Sequence, residues 1–241
     1  MAIKAPATTP KQATKRVAQV ELEVSNYPCR VAQVIDMGRQ YKSVWDDVNK
    51  RFTKDPSKVV NMLMLTYEFT TEFMKDEQGN ELEDKPRWMS EDFPVYALDS
   101  ELATSNKRMK AFDPTFKKFE GDFTKLAGEA CTVTIAARDN GKAKIGNVTP
   151  PMKGMVVPPL KNPVKVLDLD APDIEVFQSL PTWLQDKIKE NLDFEGSALE
   201  AILGGSTGQA SKPTAPPVET KQEVAEEPQV AQEEYDEDVP W

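Results

Sequence analysis

A mainly β fold is predicted by three features of the sequence: apolar runs with the two-residue period of strands, a turn signal between two such runs, and one helix-forming stretch that interrupts them. In YPCRVAQVIDMGRQ, residues 27–40, Cys29, Val31 and Ile35 alternate with other positions, and Gly38 is expected to end the strand. VVNMLMLTYEFTTEFM, residues 59–74, begins almost continuously apolar and then mixes Thr, Tyr and Phe with acids, as a strand passing from core to rim does. DEQGN follows as a turn. A third strand, RWMSEDFPVYAL at residues 87–98, belongs at a sheet edge, because Pro94 lacks the amide donor of a central ladder. Residues 99–112, DSELATSNKRMKAF, carry helix formers, with Asp99 or Ser100 to cap them and Pro114 to close them. In EACTVTIAARDNGKAKIGNVTP, Asp139-Asn140-Gly141 separates two strand-like runs and predicts a hairpin.

Three strands, a helix and a hairpin, placed at residues 19–150, suit a five-stranded oligonucleotide-binding (OB-fold) barrel with a helical insertion. A small sandwich is the alternative for the same elements. Residues 1–18 form a flexible polar arm, and residues 151–203 a Pro-rich extension followed by a short helix from about Pro181. Trp183, Leu184, Ile188 and Leu192 supply one apolar side of that helix, which packs on the barrel or on another subunit, so oligomerisation stays open. Residues 204–241 are dominated by Pro, Gly, Ser, Gln and Glu and bury too little to offset the entropy of ordering, which predicts a disordered linker and acidic tail.

The chain has 241 residues, two Cys and no His. The absence of His removes Ser/His/Asp and Cys/His nucleophile pairs, imidazole metal ligands and imidazole proton shuttles. Cys29 and Cys131 cannot close a zinc site alone and are expected to be inert buried thiols. Asp168, Asp170, Asp173 and Glu175 have no calcium-loop spacing, and no phosphate-cradling glycine motif is present. A non-enzymatic protein without cofactor or metal is expected. No signal-like or membrane-spanning apolar run occurs, which predicts a cytoplasmic protein with no membrane partner.

The net charge of -10 hides a division: residues 1–165 hold 26 Lys/Arg against 22 Asp/Glu, whereas residues 166–241 hold 4 against 18. A slightly basic body therefore precedes an acidic C-terminal region, and a local basic surface decides whether nucleic acid binds. The densest mixture of cations and rings is Lys107, Arg108, Lys110, Phe112, Phe116, Lys117 and Lys118. Cations meet phosphates and exposed rings stack on unpaired bases; alternatively the rings fill the core beneath a solvated lysine face. A second group is Arg30, Arg39, Tyr41, Lys42, Trp45, Arg51 and Phe52, part of it expected in a mobile loop beside the groove. Lys85, Arg87 and Trp88 form a third.

The chain ends in Tyr235, Asp236, Glu237, Asp238, Val239, Pro240 and Trp241, an acidic run with an apolar anchor that fits a basic pocket on a protein partner. This YDEDVPW resembles the acidic C-terminal tip of bacterial and phage single-stranded DNA-binding proteins, with Trp241 in place of the usual Phe. The body resembles tailed-phage proteins of that role at YPCRVAQVIDMG, DKPRWMSEDFP, FTKLAGEACTVTI and SLPTWLQDKI. The resemblance implies an OB-fold barrel that coats single-stranded DNA in phage replication or recombination. It also implies recruitment of a polymerase, helicase or nuclease through the tip. The competing expectation is a phage assembly factor or DNA-mimicking inhibitor that uses the acidic tail to hold a basic protein.

Overall fold

The computed structural model describes residues 19–204. The predicted arm at 1–18 lies outside the described residues, as do the linker and tip from residue 205, including the tip residues Tyr235 to Trp241. β1 (Asn26–Asp46) and β2 (Arg51–Lys75) form one long antiparallel pair, from Cys29 opposite Phe69 to Asp46 opposite Arg51. β3 (Glu81–Val95) lies at the edge beside β2. Pro94 stands in that edge strand opposite Met62, where a missing donor costs the sheet no internal ladder bond. β4 (Ala130–Ala137) and β5 (Ala143–Thr149) form the hairpin that Asp139-Asn140-Gly141 predicts, with Gly141 supplying a φ of 76°.

β4 pairs with the first residues of β1, and β6 (Lys165–Leu167) runs parallel to β1 at Gln33 to Ile35. The sheet therefore reads β3-β2-β1-β4-β5, with β6 joined to β1. The expected five-stranded closed barrel is corrected on two points: a sixth strand is recruited from the C-terminal extension, and no ladder joins β3 to β5 among the described residues. All pairings are antiparallel except that of β6.

β1 does not end at Gly38. Gly38 adopts a φ of 72° at a register shift, its N–H bonds the Asp36 carboxylate at 2.8 Å, and the strand continues to Asp46. Glycine is needed there because an added Cβ would lie 2.8 Å from Asn191 Cγ and 3.0 Å from Leu169 Cδ1. The mobile loop expected near Tyr41 to Phe52 is instead the far half of the β1–β2 hairpin.

Two apolar clusters cover the two sides of the sheet, which explains why Leu63 to Thr70 of β2 are buried without interruption. On one side α1 (Thr104–Phe112) and the following loop bring Met109, Phe119, Phe123 and Leu126 against Val31, Leu65, Phe69 and Val133. α1 starts later than expected, with Ala103 at its N-cap and no side-chain cap. Beyond it the Asp113 carboxylate accepts the N–H groups of Lys117, Lys118 and Phe119 at 3.2, 2.7 and 2.8 Å. Burial opposes its ionisation, but these N–H bonds outweigh burial and hold the carboxyl below its usual range. Cys29 and Cys131 are cross-strand partners on the same side, both buried and free, and burial pushes both thiols up.

On the other side α2 (Ile174–Gln178), α3 (Thr182–Lys189) and α4 (Ala198–Ile202) bury Phe177, Leu184, Ile188 and Leu199 against Ile35, Met37, Met64 and Leu167. Each such aliphatic or aromatic side chain contributes about 1.5–3 kcal/mol when fully buried. Pro181 is the N-cap of α3, and only Leu184 and Ile188 of its expected apolar side are buried; Trp183 is 60% exposed and Leu192 is also exposed.

Candidate nucleic-acid interface

Beyond Asn61, the last β2 residue paired with β3 at that end, β1 and β2 continue as a two-stranded arm. At about 3.4 Å per residue the arm extends roughly 25 Å. Its turn is built by Asp46, whose carboxylate accepts the N–H groups of Val48 and Asn49 at 2.9 and 3.0 Å and the Asn49 side-chain amide at 2.7 Å. Trp45 and Phe52 are direct cross-strand partners with ring centroids 5.1 Å apart and planes at 68°. The two residues are 48% and 70% exposed, so this edge-to-face pair is preformed but uncovered. Alternation places Tyr41 and Ser43 on the Trp45 face, and Lys54 lies opposite Ser43. Arg51 is exposed opposite Asp46. Lys42 donates to the Tyr96 hydroxyl at 3.2 Å, and Lys54 to Glu190 at 3.1 Å; both are solvent-reachable bonds that a phosphate can compete for.

The third group lies on the edge strand. Lys85 is exposed, Arg87 half-buried, and Trp88 is 38% exposed with its indole N–H donating to Glu68 Oε2 at 2.9 Å. Glu68 is a site component that the ring-and-cation pattern misses, although an acid flanked by Tyr67 and Phe69 within the apolar part of β2 is itself a signal.

Two predicted contacts are corrected. Arg108 is buried, and its Nε and Nη2 bond Glu91 at 2.6 and 2.8 Å, while the Tyr67 hydroxyl donates to the same carboxylate at 2.9 Å. Burial pulls the Arg108 pKa down, the Glu91 bonds raise it further, and the net shift is upward. Burial, then the Glu91 charge, pushes the Tyr67 phenol well above its usual value. Arg30 donates Nε to Pro158 O at 2.7 Å, Nη1 to Gly128 O at 2.8 Å and Nη2 to Val157 O at 3.0 Å. Neither guanidinium is free to meet a phosphate. Phe112 and Phe116 are half-buried and pack against the first cluster.

Lys107 and Lys117 remain exposed. Lys110 bonds Glu101 at 3.4 Å and lies 5.8 Å from the Phe116 ring centroid; Lys118 bonds Glu129 at 3.0 Å and lies 4.2 Å from that of Phe119. Arg39 pairs with Asp193 at 3.1 Å, with both side chains exposed. The structure thus gathers Tyr41, Lys42, Trp45, Arg51 and Phe52 on one arm and leaves the α1 lysines on separate elements.

A cavity of about 590 Å³ opens beside Gly38 and is lined by Asp36, Asp168, Asp170 and Asp193, with Arg39 as its one cation among the described residues. Burial, followed by the charges of Asp168 and Asp170, raises the Asp36 pKa against the opposing Gly38 and Leu169 N–H bonds. That polarity repels phosphate. Asp173 caps α2 through the N–H groups of Glu175 and Val176, and no group of three or more His, Cys, Asp or Glu among the described residues is placed to hold a metal. No helix among them is long and apolar enough to cross a membrane.

The fold defines a mainly β protein with a six-stranded sheet and few helices. No family model, curated protein or solved structure matches the chain.

Proposed function

We propose that this protein binds single-stranded DNA without sequence preference and without catalysis, in phage DNA replication or recombination. The observation that carries this reading is the exposed Trp45–Phe52 pair on a ribbon that also bears Tyr41, Lys42, Arg51 and Lys54. Rings offer π-faces to any base, and neighbouring cations follow the phosphates, so the combination favours unpaired strands over duplex. The strand order supports the reading as well: a three-stranded meander, a helix, and a hairpin that returns to β1 are the elements expected of an OB fold, here without a β3–β5 ladder among the described residues. In that topology the β1–β2 connection flanks the oligonucleotide, which is where the arm projects. The resemblance of YDEDVPW to the tip of single-stranded DNA-binding proteins supports a recruiting role toward a polymerase, helicase or nuclease. The host cytoplasm is the matching compartment.

Titration of the full chain with fluorescent oligo-dT and with a duplex of equal length tests this function. Preference for the single strand is expected, with log affinity falling linearly against log salt. Trp45→Ala and Phe52→Ala are each expected to cost about 1–3 kcal/mol of binding per stacked base. Equal affinity for both DNA forms at moderate salt would overturn the reading.

A further inference from the structure

Arg30, Glu68 and Trp88 occupy one rung of three neighbouring strands: Arg30 opposes Glu68 across β1–β2, and Glu68 opposes Trp88 across β2–β3. Opposed residues share a face, and on it Arg30 and Glu68 meet the segment 157–162 while Trp88 bonds Glu68. That segment contains Pro158 and Pro159, which have no N–H to give a ladder, and side chains satisfy its backbone instead. Arg30 holds the carbonyls of Val157 and Pro158. Glu68, fully buried, accepts the Lys161 N–H at 2.6 Å, the Asn162 side-chain amide at 2.8 Å and the Trp88 indole N–H at 2.9 Å.

A buried carboxyl group is costly unless its acceptor sites are filled, and here three neutral donors fill them with no cation in ion-pair range among the described residues. The arrangement fixes two exposed groups together. The indole bond holds the Trp88 ring in one orientation, and the Lys161 backbone is tied to the same carboxylate while its exposed ammonium has no ion pair among the described residues. We propose that Trp88 and Lys161 form a second contact point for one nucleotide of a single strand, with the ring against the base and the ammonium on the phosphate, and that Glu68 is its positioning residue. This inference rests on the proposed single-strand binding but uses residues separate from the arm.

The test compares full-length wild type, Trp88→Ala, Lys161→Ala, Glu68→Gln and Glu68→Gln/Trp88→Ala for oligo-dT affinity over a salt series. Trp88→Ala is expected to weaken binding at least about fivefold, the lower end for one stacked base. Lys161→Ala is expected to flatten the log–log salt slope by about 0.7, one phosphate's share on a single strand. Glu68→Gln is expected to weaken binding in the wild-type background and to add little once Trp88 is gone, a coupling that a merely structural role would not show. If Glu68→Gln fails to fold, the Trp88 and Lys161 variants still decide the matter. Wild-type affinity and slope in both of these, with wild type still preferring oligo-dT, overturn the second contact point alone; a wild type without that preference overturns the functional reading beneath it.

Discussion

The two halves of the β1–β2 ladder both carry rings and guanidinium groups within or against them, yet one half is mostly apolar and covered and the other mostly polar and open. From Cys29 opposite Phe69 to Gly38 opposite Met62, the ladder is covered on one side by α1 and its loop and on the other by α2, α3, α4 and segment 157–162. From Tyr41 opposite Val59 to Asp46 opposite Arg51, the paired strands have no further strand beside them among the described residues, and rings stand exposed. In the covered half Tyr67 joins the buried Arg108–Glu91 pair, and Arg30 holds backbone carbonyls. In the arm, Trp45, Phe52 and Arg51 face solvent. Whether an Arg or a ring is structural or available thus depends on what the chain lays over it from far away in sequence, and the residue type alone does not decide it.

The largest expected effect comes from comparing a guanidinium packed against the covered half, Arg108 of α1, with one on the arm, Arg51. Arg108 and Glu91 have little exposed side chain, so Arg108→Ala leaves a buried carboxylate without its partner and is expected to cost about 3–5 kcal/mol of stability. Arg51→Ala on the arm is expected to stay within about 0.5 kcal/mol. Urea denaturation reads both, and similar losses would erase the distinction between the halves.

Gly38 marks the point where the ladder leaves its cover. Gly38→Ala meets both a φ of 72° and the nearby Asn191 side chain, and is expected to cost about 1–3 kcal/mol. Gly79→Ala shares the positive φ, 87°, but has nothing within 4 Å of the added methyl, so its loss should be smaller. Equal thermal shifts would show that backbone angle alone, without the contact to Asn191, governs the bend.

Much of the ladder is legible in sequence because strand period, edge proline and the Asp-Asn-Gly turn are local signals. Gly38 misleads for a physical reason: a glycine at the end of an apolar run reads as a stop, and its close approach to Asn191, over a hundred residues later, leaves no local sign. The rings at Trp45 and Phe52 are found by composition, but their pairing requires the register that Asp46 sets. Arg108 is misplaced because its partner Glu91 lies on β3 and not on its own helix, and Lys161 gives no local sign that its backbone shares Glu68 with Trp88.

On the arm itself, Trp45→Ala/Phe52→Ala is expected to leave the denaturation midpoint nearly unchanged, since both rings are already exposed. Its binding of oligo-dT should fall while stability holds. A double variant that unfolds with the Arg108 variant would mean that the arm supports the core and does not stand apart from it.

The smallest effect expected is a pH difference between two carboxylates, one at the bend and one just beyond α1. Asp36 has a folded pKa above its ordinary value, so the folded state holds more protons than the unfolded one in that window. Its contribution is full below the unfolded carboxylate pKa and is lost as pH rises through the folded pKa. Asp113 has a folded pKa below its ordinary value, and its contribution is present above the unfolded pKa and lost as pH falls through the folded one. Asp36→Asn keeps an oxygen for the Gly38 N–H and removes the charge facing Asp168 and Asp170, so it should melt above wild type at neutral pH and lose that gain in acid. Asp113→Asn should melt below wild type at neutral pH, with the gap closing in acid. Solvent access around the cavity keeps the Asp36 gain small. Thermal melts at the two pH values separate the signs; shifts in the same direction for both variants would contradict the opposite environments assigned to the two carboxyls.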